Sequence, residues 1–159
     1  MGEHETQGRS LPGYRELPEL GLYKDQVVEL VNRAVAPFFP REAALTDTMV
    51  NNYVKLRVIT PPVRKRYNRD QLAQLILVCL LKRVLSIAQL RRLLELARSG
   101  GSTERSYARF CAALEAELTG KPSPDAPEEG REAALIGHAV RAFVCKLAFE
   151  ELLEREERC

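Results

Sequence analysis

Apolar residues recur along this chain at intervals of three and four, the period of a helix face, and rarely alternate as a half-buried strand would. In "LPELGLYKDQVVELVNRAVAPFF" the residues Val27, Val28, Leu30, Val31, Ala34 and Val35 form one stripe. Asp25 is placed to cap that helix, and Pro37 ends it. A second helix is predicted over "LTDTMVNNYVKL", capped by Thr46 or Asp47. Val50, Tyr53 and Val54 would face inward, with Thr48, Asn51, Asn52 and Lys55 on the opposite side. "ITPPVRKRYN" cannot be helical through Pro61-Pro62, so its ends, Val58-Ile59 and Tyr67, are placed to pair or pack as a small wing. "RDQLAQLILVCLLKRVL" carries Leu72, Leu75, Ile76, Cys79, Leu80 and Val84 as one stripe, widened by Leu77, Val78 and Leu81. Such a helix should be surrounded by others.

"SIAQLRRLLELAR" begins with Ser86 and Gln89 at capping-box spacing and turns Leu90, Leu93, Leu94 and Ala97 inward. "SGGST" is the clearest break in the pattern and reads as a hinge. Beyond it, "ERSYARFCAALEAEL" is amphipathic through Tyr107, Phe110, Cys111, Leu114 and Leu118, and "TGKPSPDAPEEG" reads as an exposed loop. The last helix, "REAALIGHAVRAFVCKLAFEELLEREER", has more apolar positions between 135 and 153 than one face needs, so some should meet a second chain. Three stretches follow: an irregular arm over 1–21, a core over 22–98 and a helical dimerisation segment over 103–159.

Composition supports a mostly α protein. The chain has 159 residues, 45% of them apolar and 29% charged, with no tryptophan. The longest apolar run, "LAQLILVCLL", is too short to span a bilayer, and "MGEHETQGRS" is unlike a secretory signal, which points to the cytoplasm. Cys79, Cys111 and Cys145 lie in apolar helical stretches and read as reduced core residues, with Cys159 at the exposed end.

Charge changes the picture more. Residues 1–54 hold five basic and eight acidic side chains, residues 55–109 thirteen against three, and residues 110–159 six against eleven. A middle third so positive points to a polyanionic partner, against the plainer reading of a solvated basic face.

Candidate catalysis is thin. His4 and His138 lack a neighbouring nucleophile or metal-ligand spacing, "GKPS" lacks the glycine spacing of a phosphate loop, and the glutamates of 150–157 read as a solvated helix end. No enzyme class and no cofactor is expected. A nucleic-acid reading has better material. Asparagine pairs bidentately with an adenine edge and lysine reaches guanine or phosphate, so Thr48, Asn51, Asn52 and Lys55 suit base contacts. Arg64, Lys65, Arg66 and Arg69 suit phosphates. One competing reading is an interaction module whose basic middle holds an acidic partner, its own C-terminus included. Another is a sensor with an apolar ligand between the C-terminal helices.

"MVNNYVKLRVITPP" followed by "RKRYNRDQLAQLILVCLLKRVLSIAQLRRLLEL" resembles the DNA-binding domain of MerR-type regulators. Tyr53, Val58-Ile59, Pro61, Lys65, Tyr67, Leu72, Leu75 and "LSIAQLRRLL" stand in matching places. Together with "LPELGLYKDQVVELVN" the stretch bears a nearer resemblance to an uncharacterised family of small bacterial proteins with a MerR-like core. The resemblance implies a winged helix-turn-helix in 22–98 that binds double-stranded DNA as a transcriptional regulator. A homodimer built through the C-terminal helices would place two recognition helices about 34 Å apart. Two departures stand out: Asn51 occupies the place of the usual recognition-helix arginine, and Arg57 that of a glycine at the helix end. That turn is therefore built differently or Arg57 is strained.

Overall fold

The computed structural model describes residues 9–122 and 130–159. A 3-10 turn at Tyr14–Glu16 precedes α1 (Lys24–Val35), α2 (Asp47–Lys55), α3 (Arg69–Leu81), α4 (Ile87–Ser99), α5 (Thr103–Thr119) and α6 (Arg131–Glu157). The protein is mostly helical, as the apolar spacing predicts. Among the described residues the only pairings of extended backbone are two isolated antiparallel bridges, Leu22 with Tyr67 and Val63 with Arg66.

The caps explain where the helices start. Thr46 Oγ1 accepts the Met49 N–H at 3.2 Å, and Ser86 and Gln89 exchange the predicted reciprocal bonds at 3.2 and 2.9 Å. Asn68 and Gln71 do the same at the head of α3, at 2.9 and 2.7 Å. At α1 the expected Asp25 cap is corrected. The helix already starts at Lys24, which puts Asp25 in its first turn, and the Gln26 side chain accepts the Tyr23 N–H at 3.0 Å.

Eleven of the thirteen residues of α3 are buried, because α1, α4, α5 and α6 all pack around it. One cluster runs from Leu17 through α3 to Tyr107, Phe110 and Leu114 of α5 and Ile136, Val140, Phe143 and Leu147 of α6. The Phe143 ring lies 6.0 Å from that of Phe38 and 6.3 Å from that of Phe39. Helices on both sides of "SGGST" therefore share one core. The segment is a turn in which Ser102 Oγ caps α5 by accepting the Arg105 N–H at 3.1 Å.

The arm is irregular but held down from Arg9 onward; residues 1–8 lie outside the described residues. Leu17 is buried, Tyr107 donates its hydroxyl to the Pro12 carbonyl at 2.6 Å, and Tyr14 donates to Asp70. Burial, then that bond, pushes the Tyr14 phenol up to about 12. These anchors lie far away in sequence, so no local period announces them. The loop predicted at 119–130 falls largely on residues outside those described. Cys79 is buried and Cys111 half-buried, but Cys145 is exposed, which corrects its assignment to the core. The inward seam of α6 is Ile136, Val140, Phe143 and Leu147, and position 145 falls on the other side.

Arg57 settles the turn after α2. Its N–H donates to the Val54 carbonyl at 3.1 Å and the Val58 N–H to the Tyr53 carbonyl at 2.8 Å, the two bonds of a Schellman ending. That ending needs a left-handed residue, and Arg57 supplies it at φ 59°. A side chain there costs about 1–2 kcal/mol, partly offset by the greater unfolded-state freedom of glycine. Arg57→Gly should thus stabilise the fold by about 0.5 kcal/mol, read as a rise in urea midpoint at constant slope.

Candidate nucleic-acid interface

The long connection 36–46 would leave α2 poorly aimed without Asn32 of α1. Its amide donates to the Leu45 carbonyl and accepts the Leu45 N–H, both at 2.8 Å, fixing the chain one residue before the Thr46 cap. With Val50 and Tyr53 buried beneath, Thr48, Asn51, Asn52 and Lys55 stand exposed along the outer side of α2. All four face solvent, where the pattern puts them.

Beside them the segment after Pro62 makes a tight hairpin. Val63 and Arg66 exchange backbone bonds at 3.0 and 2.9 Å across Arg64 and Lys65, whose φ values are 51° and 65°. Positive φ at both central residues is the type I′ turn that suits a hairpin's twist and normally selects asparagine and glycine. The Leu22 and Tyr67 backbones bond reciprocally at 3.0 and 2.8 Å and anchor the hairpin's foot to the start of α1.

A run of side-chain contacts joins hairpin to helix. The Arg66 guanidinium lies 5.0 Å from the centre of the Tyr23 ring and donates to its hydroxyl at 3.1 Å. The next residue, Lys24, donates to Asn51 Oδ1 at 3.1 Å. The structure thus adds Tyr23 and Lys24 to the surface that the sequence marks out. The Lys24–Asn51 contact spans 27 positions along the chain and carries no local signal.

Arg69 belongs elsewhere. Its Nε donates to the Leu17 carbonyl at 2.8 Å, it pairs with Glu19 at 3.3 Å, and it stacks 5.4 Å from the Tyr14 ring centre. The remaining cations are unengaged: among the described residues no carboxylate pairs with Lys55, Arg57, Arg64 or Lys65. Three carboxylates at the acidic end of α6 have other partners, Glu150 with Arg83 at 2.9 Å, Glu151 with Arg9, and Glu154 with Arg41 at 3.8 Å.

The three described non-glycine residues with positive φ are Arg57, Arg64 and Lys65, and all three are exposed cations. Among the described residues, no three of His, Cys, Asp or Glu stand together as a metal site, and no helix is long and apolar enough to cross a membrane. An open, largely apolar groove of about 620 Å³ runs between α4 and α6, with Leu93, Leu96 and Leu135 on its walls and His138 at its edge.

Fold and surface define an all-helical protein that presents an arginine-lysine turn beside the polar side of a short helix. The chain belongs to the family described as Domain of unknown function (DUF1836), whose pattern matches residues 12–110. All the candidate interface residues fall inside that stretch, and α6 falls outside it. No curated protein and no solved structure matches the chain.

Proposed function

We propose that the chain is a sequence-specific DNA-binding transcriptional regulator with a MerR-like winged helix-turn-helix core. In this reading α1 is the scaffold helix, α2 the recognition helix and the hairpin at 63–66 the wing. The observation that carries it is the placement of Arg57, Arg64 and Lys65 in left-handed backbone that glycine or asparagine would occupy at lower energy. Solvation alone gives no reason to put cations at all three strained positions. Phosphate binding does, since each unpaired cation brought to DNA releases condensed counterions.

Nine residues of helix make α2 about 14 Å long, short enough to sit within a major groove. Thr48, Asn51, Asn52 and Lys55 would meet base edges. Asn51 Oδ1 already accepts from Lys24, which holds the amide and leaves its NH2 to donate to an acceptor on a base. Lys24, Arg57, Arg64, Lys65 and Arg66 would hold phosphates, and Arg69, committed to the arm, is left out of the set. The acidic-partner alternative loses part of its internal candidate, because Glu150, Glu151 and Glu154 of α6 pair with Arg83, Arg9 and Arg41.

Dimerisation completes the proposal. Leu135, His138, Ala142, Cys145, Phe149 and Leu152 are all exposed and follow three-four-three-four-three spacing, a heptad seam opposite the buried side of α6. Phe149 and Leu152 are each 61% exposed. Arg92 and Arg131 flank one end of the seam, Glu156 and Glu157 the other, and among the described residues none of the four is ion-paired. An antiparallel second copy matches these charges, whereas a parallel one sets like against like. Ala142 then lies opposite Cys145 of the partner subunit. In a Cys159→Ser background, Ala142→Cys should give a covalent dimer on mild oxidation while the parent gives little. A monomer in sedimentation with no crosslink would contradict the dimer.

Selection from random duplex DNA tests the function. The expected product is a dyad with half-sites about one turn apart. Absence of binding at about 50 mM salt, where phosphate contacts are strongest, would overturn the DNA reading in favour of an acidic protein partner.

A further inference from the structure

Behind the hairpin, a cleft of about 450 Å³ opens between α3, the turn from α4 to α5 and the two ends of the hairpin segment, Thr60 and Asn68. Three features of its wall are unusual together. Gln74 is only 3% exposed, and its Oε1 is buried with no hydrogen-bond partner among the described residues. Asp70 accepts the Tyr14 hydroxyl but is ion-paired to no cation among the described residues. Arg98 makes one long contact, Nη1 to the Val58 carbonyl at 3.5 Å, and no carboxylate among the described residues pairs with it. Asp70 and Arg98 thus line one cleft without meeting, and the third charged side chain there, Glu104, pairs outward with Arg15 at 3.1 Å. The N-terminus of the seventeen-residue α5, capped by Ser102, opens into the same space.

A buried acceptor left without a donor is unfavourable, and native structures rarely retain one without a reason. Gln74 could have been leucine, as Leu72, Leu75 and Leu77 of α3 are. The anionic group that a helix N-terminus favours is the same group that an unpaired guanidinium favours. We propose that this cleft binds a small zwitterion, a free amino acid or a close analogue. Its ammonium donates to the Asp70 carboxylate and, once the Gln74 amide turns to bring its buried Oε1 to the cleft, to that oxygen; its carboxylate accepts from Arg98 and the first-turn amides of α5. A cleft of this size holds such a molecule with room to spare. This is a different place and a different chemistry from the apolar groove between α4 and α6. Because Thr60 and Asn68 are the roots of the hairpin, occupancy would bear on the wing. That regulatory consequence rests on the DNA reading, whereas the binding itself does not.

The test is thermal unfolding of the full chain, without DNA, at about 10 mM of each probe. The probes are the twenty L-amino acids and the series glycine, β-alanine, γ-aminobutyrate and 5-aminovalerate, which varies the spacing between charges. Acetate and methylammonium serve as single-charge controls. At least one zwitterion should raise Tm, by about 5–10 °C at a hundred times its Kd. The controls should not. Arg98→Gln should weaken that zwitterion at least tenfold in calorimetry. Gln74→Leu, which replaces an unsatisfied amide by a side chain like those around it, should fold and also weaken it. The proposal is overturned if no zwitterion shifts Tm, if acetate or methylammonium does so equally, or if both variants bind as the parent does.

Discussion

Replacing Arg57 by glycine, Arg64 by asparagine and Lys65 by glycine together should produce a protein that unfolds later and binds DNA about 500-fold more weakly at 0.1 M salt. The two changes have opposite signs because they come from the same residues. Each substitution relieves left-handed backbone, for a combined gain of about 1–2 kcal/mol after allowing for the unfolded-state freedom of glycine. Each also removes one phosphate contact. With a slope of about −0.9 per contact, one contact is worth about eightfold in affinity at 0.1 M salt, so three multiply to about 500-fold. The slope of log K against log salt should fall by about 2.7. Urea unfolding and a salt titration on one preparation give both numbers. A variant that is more stable and binds DNA unchanged would show that the three cations are strained for another reason.

Phe143→Ala should remove about 3–5 kcal/mol of stability, a large share of what a domain of this size possesses. Phe143 is fully buried and meets Phe38 and Phe39, which follow α1, so the loss would be felt well beyond α6. Unfolding should remain one cooperative transition with an unchanged denaturant slope. Two transitions, or a loss under about 1 kcal/mol, would instead make 103–159 an independent unit.

Much of this architecture can be read from spacing alone. Val50 and Tyr53 under α2, the Ser86–Gln89 cap and the wholly buried α3 each follow from positions a few residues apart. The outward row Thr48, Asn51, Asn52 and Lys55 is legible for the same reason. What spacing could not show depends on distant parts of the chain. Asn32 holding Leu45 and Lys24 holding Asn51 are such contacts, and so is the capture of Arg69 by the Leu17 carbonyl. In the sequence Arg69 is equivalent to Arg64 and Lys65, because density of charge says nothing about which guanidinium finds an internal carbonyl. The type I′ turn was hidden as well, since Arg64-Lys65 carries no glycine or asparagine to announce it. Periodicity puts Cys145 in the core because α6 is apolar on two opposite sides, and it cannot tell which of two seams faces the chain's own core.

The most direct test of the central claim is a comparison of the parent with Asn51→Ala/Asn52→Ala on a selected duplex and on its scrambled version, across salt. If α2 reads bases, the double variant should lose about 1–3 kcal/mol of discrimination for each lost asparagine–base pair. Its binding to the scrambled duplex and its salt slope should stay as they were, since the phosphate contacts remain. An unchanged ratio between the two duplexes would contradict recognition through α2, whatever the affinity.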